Sequence, residues 1–193
     1  MSKRVLELLK SKFGDDIYET HSQFGDDTAV VNPEKWRAIA QFLRDDPQCA
    51  MSMFVDITAV DYHGRQTPRF EVVLHLRSLE RGHRIRLKAR VGDDEGTSVE
   101  IDSLVPVWKG ANWFERECFD MFGVVFKGHP DLRRILMYPE FVGYPLRKDY
   151  PADKTQPLIE LRNVPDKLPP FGIDEGMPFG RQTHDYPRGE ETN

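Results

Sequence analysis

HRIRLKARV, residues 83–91, alternates without a break: Ile85, Leu87, Ala89 and Val91 fall on one side, and Arg84, Arg86, Lys88 and Arg90 on the other. A period of two sends successive side chains to opposite faces of a strand. One face is apolar and the other fully charged, the pattern of an antiparallel sheet covered on one side only. Two earlier stretches repeat it. RFEVVLHLRS, residues 69–78, carries Phe70, Val72, Leu74 and Leu76 in step; CAMSMFVDITAVDY, residues 49–62, carries Met51, Met53, Val55 and Ile57. His63-Gly64-Arg65 and Arg81-Gly82 supply turns between them.

Upstream, Val5, Leu6, Leu8 and Leu9 recur at helical spacing and predict a helix over residues 2–12, capped by Ser2 and stopped by Gly14. Residues 17–23 and 28–31 read as the arms of a hairpin turned at Gly25-Asp26-Asp27. Asn32-Pro33 opens a second helix with Trp36, Ile39, Ala40 and Leu43 as its inner stripe, and Asp45-Asp46-Pro47 stops it. After the strands, Asp102 or Ser103 precedes a short helical stretch. Asn112 is the expected cap of a further helix that holds Glu115. This order predicts an α+β fold: a two-layer sandwich of a mostly antiparallel sheet with helices on one side. The domain is expected over residues 1–126, followed by an extended partner-binding arm and tail over 127–193.

The chemistry concentrates in ERECFDMFGVVFKGHPDLRRILMYPEFVGYPLRKDYP, residues 115–151. On a helix Arg116 and Asp120 are four apart, so an ion pair between them is expected, and Gly123 suits a left-handed C-cap. Beyond it come Lys127, Arg133, Arg134, Arg147 and Lys148 against Asp131, Glu140 and Asp149, interleaved with Tyr138, Phe141, Tyr144 and Tyr150. Such a mixture suits an extended segment lying on another surface, its guanidinium groups solvated in the free chain and paired with carboxylates in a complex. From residue 151 onward the tail holds Pro151, Pro157, Pro165, Pro169, Pro170, Pro178 and Pro187. Among them stand Leu158, Ile159, Leu161, Phe171, Met177 and Phe179, too many apolar groups for a purely solvating tail. Ordering on a partner is the favoured reading.

Composition excludes several classes. A net charge of -5 opposes a protein that works by gripping phosphates. No apolar run is long enough to span a bilayer, and the N-terminus reads as a helix, not a targeting signal. There is no GxGxxG, no P-loop and no CxxC; Cys49 and Cys118 read as free thiols in a reducing compartment. The histidines at 21, 63, 75, 83, 129 and 184 show no metal-ligand spacing. His129 stands out beside Pro130, with a structural hydrogen bond as the favoured role. Glu115, Glu117 and Asp120 could form a carboxylate pair, but Arg116 in the same turns favours their ionised forms.

Glu115-Arg116-Glu117, then Asp120, Met121, Phe122, His129, Arg133 and Ile135-Leu136, resemble the motif of the 30 kDa subunit family of respiratory NADH dehydrogenase, the C subunit of bacterial NADH:quinone oxidoreductase (complex I). GYPLRKDYP, residues 143–151, with Arg147, Lys148 and Asp149, looks like the same family's second hallmark, and the length is similar to a free-standing C subunit. The resemblance implies a non-catalytic peripheral-arm subunit on the cytoplasmic face of the bacterial inner membrane. It implies no cofactor on this chain, with NADH, FMN, iron–sulfur clusters and quinone in partner subunits. The D subunit of that complex is the expected closest partner, with the B and I subunits nearby. Arg134 joins Glu115, Arg116, Glu117, Asp120, His129, Arg133, Arg147, Lys148 and Asp149 as the expected motif or interface set. Two alternatives stand: a homologous subunit of a related membrane-bound hydrogenase or other donor:quinone dehydrogenase, and a stand-alone acid–base enzyme using Glu117, Asp120 and His129.

Overall fold

The structure, a computed structural model, describes residues 2–158. Helix α1, Ser2–Phe13, buries Val5, Leu6 and Leu9; the side chain of Ser2, its expected cap, lies outside what is described. The hairpin of β1, Ile17–Gln23, and β2, Asp26–Val31, turns at Phe24-Gly25, so Asp26 and Asp27 are already in strand. Asn32 accepts from the N–H of Glu34 at 3.0 Å, opening a tight turn at Pro33–Lys35 that leads into α2, Trp36–Asp45. The stripe of Trp36, Ile39, Ala40 and Leu43 is buried as its spacing predicts.

Three strands follow: β3, Met53–Asp61; β4, Phe70–Arg77; and β5, Arg84–Val91. The sheet order is β1-β2-β5-β4-β3, antiparallel throughout except for the parallel β2–β5 pair. In the β4–β5 register Phe70 meets Val91, Val72 meets Ala89 and Leu74 meets Leu87, so the two alternating patterns share one apolar face. That face forms one buried cluster with Leu9 of α1 and Leu43 of α2. The opposite face carries charge: Glu71 lies 2.7 Å from Lys88, and Asp26 pairs with Arg84 and Arg86. The α+β sandwich with a mostly antiparallel sheet is the architecture observed.

Strand β3 departs from expectation. Its register slips between Phe54 and Asp56, and an inserted residue exchanges the faces beyond it. Ile57 and Ala59 point inward, as does Met51 before the strand, but Met53 and Val55 are exposed. Phe54 turns in instead, its ring 5.4 Å from that of Phe114 and 6.2 Å from that of Trp108.

The short helix expected after Asp102 or Ser103 is also absent from the described residues. Asp102 ends strand β6, Glu100–Asp102, and residues 104–108 make one turn, with the N–H of Trp108 donating to Leu104 at 2.8 Å. Pro106 explains this, since it lacks an N–H and disfavours helical geometry at Val105. Helix α3, Ala111–Phe122, starts after Gly110, and Asn112 lies inside its first turn instead of capping it. Gly123 closes it at φ 77°, in the left-handed conformation its position calls for. Strand β7, Val125–Lys127, then pairs in parallel with β6.

The expected boundary at residue 126 moves. Residues 128–158 contain no helix or strand, yet the compact unit runs Met1–Pro157, and a second unit begins at Leu158. Residues 128–157 are held by side-chain hydrogen bonds, not by secondary structure. The rest of the tail, including Ile159, Leu161, Phe171, Met177 and Phe179, lies outside the described residues.

Candidate functional site

Two buried carboxylates gather residues 128–150 onto the sandwich. The first is Asp120, 0% exposed on α3. Its Oδ2 accepts from the N–H groups of Ile135, Leu136 and Met137 at 3.1, 2.8 and 2.8 Å, and its Oδ1 from Arg134 at 2.6 Å. Burial pushes its pKa up, but these donors outweigh that and hold the carboxyl below its ordinary value. The expected Arg116–Asp120 ion pair does not form, because the oxygens of Asp120 are filled by the chain at 134–137. Arg116 donates instead to the carbonyls of Arg133 and Arg134, each at 3.1 Å. Arg134 also donates to the carbonyl of Gly143 and lies against the rings of Phe141 and Tyr144.

The second is Asp61, at the inward end of β3. Arg69, 1% exposed, meets it with two parallel bonds of 2.8 and 2.7 Å, a fork-to-fork pair. The same guanidinium binds Asp149 at 3.0 Å, and the N–H of Lys148 donates to Asp61 at 2.8 Å. Burial alone raises the pKa of Asp61; Arg69, Lys148 and His63 reverse this and hold it at about 2. Beside them Arg147 donates to the carbonyls of Phe122 at 2.6 Å and Gly96 at 2.8 Å, its guanidinium 5.1 Å from the ring of Phe70 and 4.6 Å from that of Tyr144. Burial and the neighbouring Arg69 lower the pKa of Arg147. Its guanidinium is therefore engaged within the chain, contrary to the expectation that it is solvated until a partner arrives. Gly123 makes this fit: a Cβ there would lie 2.5 Å from the Tyr144 ring.

Glu115 works in the same way. It is 0% exposed, and accepts from the Ser103 hydroxyl at 2.7 Å and the Leu104 N–H at 2.6 Å, fixing the turn after β6 to α3. Burial outweighs both bonds and pushes its pKa from 4.5 up to about 7. A raised folded-state value means the stabilisation is complete below about pH 4.5 and lost as pH rises through 7. The shift corresponds to roughly 3 kcal/mol. Glu115→Gln keeps an acceptor for Leu104 but cannot ionise. Melting curves from pH 4 to 8 should show wild type losing stability relative to this variant as pH rises; parallel profiles would remove Glu115 as the cause.

His129 accepts from the Asp131 N–H at Nδ1, at 3.0 Å, and its Nε2 lies 3.2 Å from the Asn112 carbonyl, so both ring nitrogens are engaged. Glu117 is exposed on α3, while Asp120 is sealed beneath residues 134–137. The three residues of the acid–base reading do not converge on an open site. Lys148 presents an exposed side chain, and Arg133 is 70% exposed with Asp131 at 3.0 Å. Among the described residues no group of three or more His, Cys, Asp or Glu could hold a metal, and no helix is long and apolar enough to cross a membrane. The thiols of Cys49 and Cys118 are buried; burial pushes Cys49 up to about 11 and raises Cys118 as well.

The family described as "Respiratory-chain NADH dehydrogenase, 30 Kd subunit" matches residues 29–156, which contain both clusters. The chain belongs to this family. The second NADH-quinone oxidoreductase C subunit of Rhizobium etli is 42% identical, over 94% of this chain and 90% of its own. The C subunit of the Geobacter sulfurreducens enzyme is 46% identical over 78% and 90%. Among solved structures, a trypsin-resistant fragment of Nqo5 aligns with a TM-score of 0.54 at 29% identity, covering 67% of this chain and 98% of the fragment. A chain of an archaeal membrane-bound sulfane sulfur reductase aligns at 0.63 and 24% identity, over 78% and 86%, and shares the fold. Both motif blocks that resemble the 30 kDa family thus build the two carboxylate clusters.

Sequence reasoning missed Asp61 and Arg69. Asp61 had a signal: it falls in step with Ile57 and Ala59 on an inward face, where a charge needs a partner.

Proposed function

We propose that this chain is a peripheral-arm subunit of NADH:quinone oxidoreductase with no active site of its own, a rigid spacer that fixes the geometry of the quinone-site subunits. The D subunit is its closest neighbour in this reading, with the B and I subunits nearby, on the cytoplasmic face of the bacterial inner membrane. The observation that carries it is the use made of the family motif. Glu115, Asp120 and His129 are each engaged by internal hydrogen bonds, and Glu115 and Asp120 are 0% exposed, so the motif shapes a surface and brings no acid–base pair to an open site.

NADH, FMN, the iron–sulfur clusters and quinone belong to partner subunits in this reading. The thiols support that, since a buried thiol with a raised pKa resists becoming the thiolate that ligates iron. The likeness to the sulfane sulfur reductase reaches the fold alone, whereas the relatives above 40% identity are NADH-quinone oxidoreductase subunits, which favours the NADH-linked complex.

Affinity purification of the tagged chain from mildly solubilised membranes tests the assignment. The flavin, iron–sulfur and quinone-site subunits of one respiratory complex should accompany it, with the D subunit giving the most crosslinks. Recovery of the chain alone, or with hydrogenase subunits, would overturn it.

A further inference from the structure

Next to the Asp120 cluster, Arg116, Phe119, Arg133, Arg134, Met137 and Pro139 line a half-open groove of about 440 Å³. Three guanidinium groups and three apolar side chains line it, and no carboxylate does. The chain as a whole carries a net charge of -5, so this basic lining runs against the protein's overall sign.

Nor are the cations fully used. Arg134 is committed to Asp120 and 17% exposed. Arg133 is 70% exposed, its partner Asp131 itself 58% exposed, which makes the pair weak and exchangeable. Arg116 donates through Nε and Nη2 to two carbonyls, and among the described residues its Nη1 has no protein acceptor. The two carbonyl bonds also fix its plane, so the free edge is preorganised. Trp113, one turn earlier on α3, is 69% exposed, and Leu136 beside Met137 is 58% exposed, which extends apolar surface along the same region.

We propose that this groove is the seat of an acidic segment of a neighbouring subunit, with one or two carboxylates on Arg133 and Arg116 and an apolar side chain between them on Phe119 and Met137. The identity of the partner complex rests on the function proposed above; the groove's chemistry does not. Guanidinium forks match carboxylates in two-point geometry, and desolvation by the apolar floor strengthens such contacts. A phosphate polyanion fits less well, because it would leave Phe119, Met137 and Pro139 uncovered. Methionine on the floor also adapts its shape to the side chain it receives.

A photoreactive benzoyl-phenylalanine at Met137, in the full chain within its purified assembly, reads the occupant directly. Leu79, exposed on the β4–β5 turn, serves as the control position. The peptide crosslinked at 137 should come from another subunit and carry at least two Asp or Glu close to the crosslink. Arg133→Glu should lower the yield about tenfold, and Arg133→Lys less. Because Arg133 is solvent-exposed, an unchanged melting temperature shows that the loss is local. Crosslinking to lipid, to this chain itself, to a second copy or to a segment without acids would overturn the proposal, as would a yield indifferent to Arg133→Glu. An assembly that contains the respiratory subunits but gives no crosslink at 137 removes the groove alone. An assembly without them removes the proposed function, while the crosslinked peptide still decides the groove.

Discussion

Arg69→Met should lower the stability of the isolated chain by about 3–5 kcal/mol, a large part of the roughly 5–15 kcal/mol that holds a domain of this size together. Methionine nearly preserves the volume, so a cavity is not the cause. The cause is what remains: the side chain of Asp61, 0% exposed, loses a bidentate partner at 2.8 and 2.7 Å and keeps only the N–H groups of Lys148 and His63. A buried carboxylate in that state is costly or must take up a proton. Asp149 is released at the same time, which removes one of the ties that hold residues 147–150. Urea unfolding should show a lower midpoint, and limited proteolysis should cut near residue 147 before the sandwich unfolds. Asp61→Leu added to Arg69→Met should recover part of the loss, because it removes the stranded charge. If Arg69→Met unfolds at the wild-type midpoint, this cluster is not a structural element.

Asp120→Ala is the second large effect, again about 3–5 kcal/mol. It strands three N–H groups and leaves the 17% exposed guanidinium of Arg134 with backbone carbonyls but no carboxylate, and nothing else among the described side chains accepts from Ile135, Leu136 or Met137. Because that carboxylate shapes the chain next to Arg133 and Arg134, the groove should be lost along with stability. Asp120→Asn keeps one acceptor oxygen but sets an amide against Arg134, so its effect should lie between. Amide exchange at 135–137 separates the cases: it should rise strongly in Asp120→Ala while the β4–β5 ladder stays protected. Unchanged protection at 135–137 would contradict the geometry.

Much of the sandwich was legible because its signals are local. The strict alternation of Ile85, Leu87, Ala89 and Val91, the stripe of α2 and the glycine after α3 each act within one element. Strand β3 misled because a bulge leaves no mark on composition; only the fact that Phe54 has a pocket between Trp108 and Phe114 fixes the slip. Residues 127–157 misled for a different reason. Their arginines and aromatics do suit docking on a surface, but much of that surface is the chain's own. The acceptors of Arg147 are the carbonyls of Phe122 and Gly96, and every residue has a carbonyl, so no residue type announces them. Gly123 was readable as a cap, yet its second role, leaving room for Tyr144, depends on a residue 21 positions later. Arg133, by contrast, does keep a 70% exposed side chain.

In the proposed function the family motif builds structure and interface and takes no part in chemistry. NADH:quinone turnover per assembled complex, with complex counted on native gels, tests this for Glu117→Gln, Asp120→Asn and His129→Gln. The amount of complex should fall in Asp120→Asn and change little in Glu117→Gln. Turnover divided by the amount of complex should equal wild type in all three. A full complement of complex with collapsed turnover in any one of them would mean that the motif acts in the reaction itself, and the structural account would be wrong.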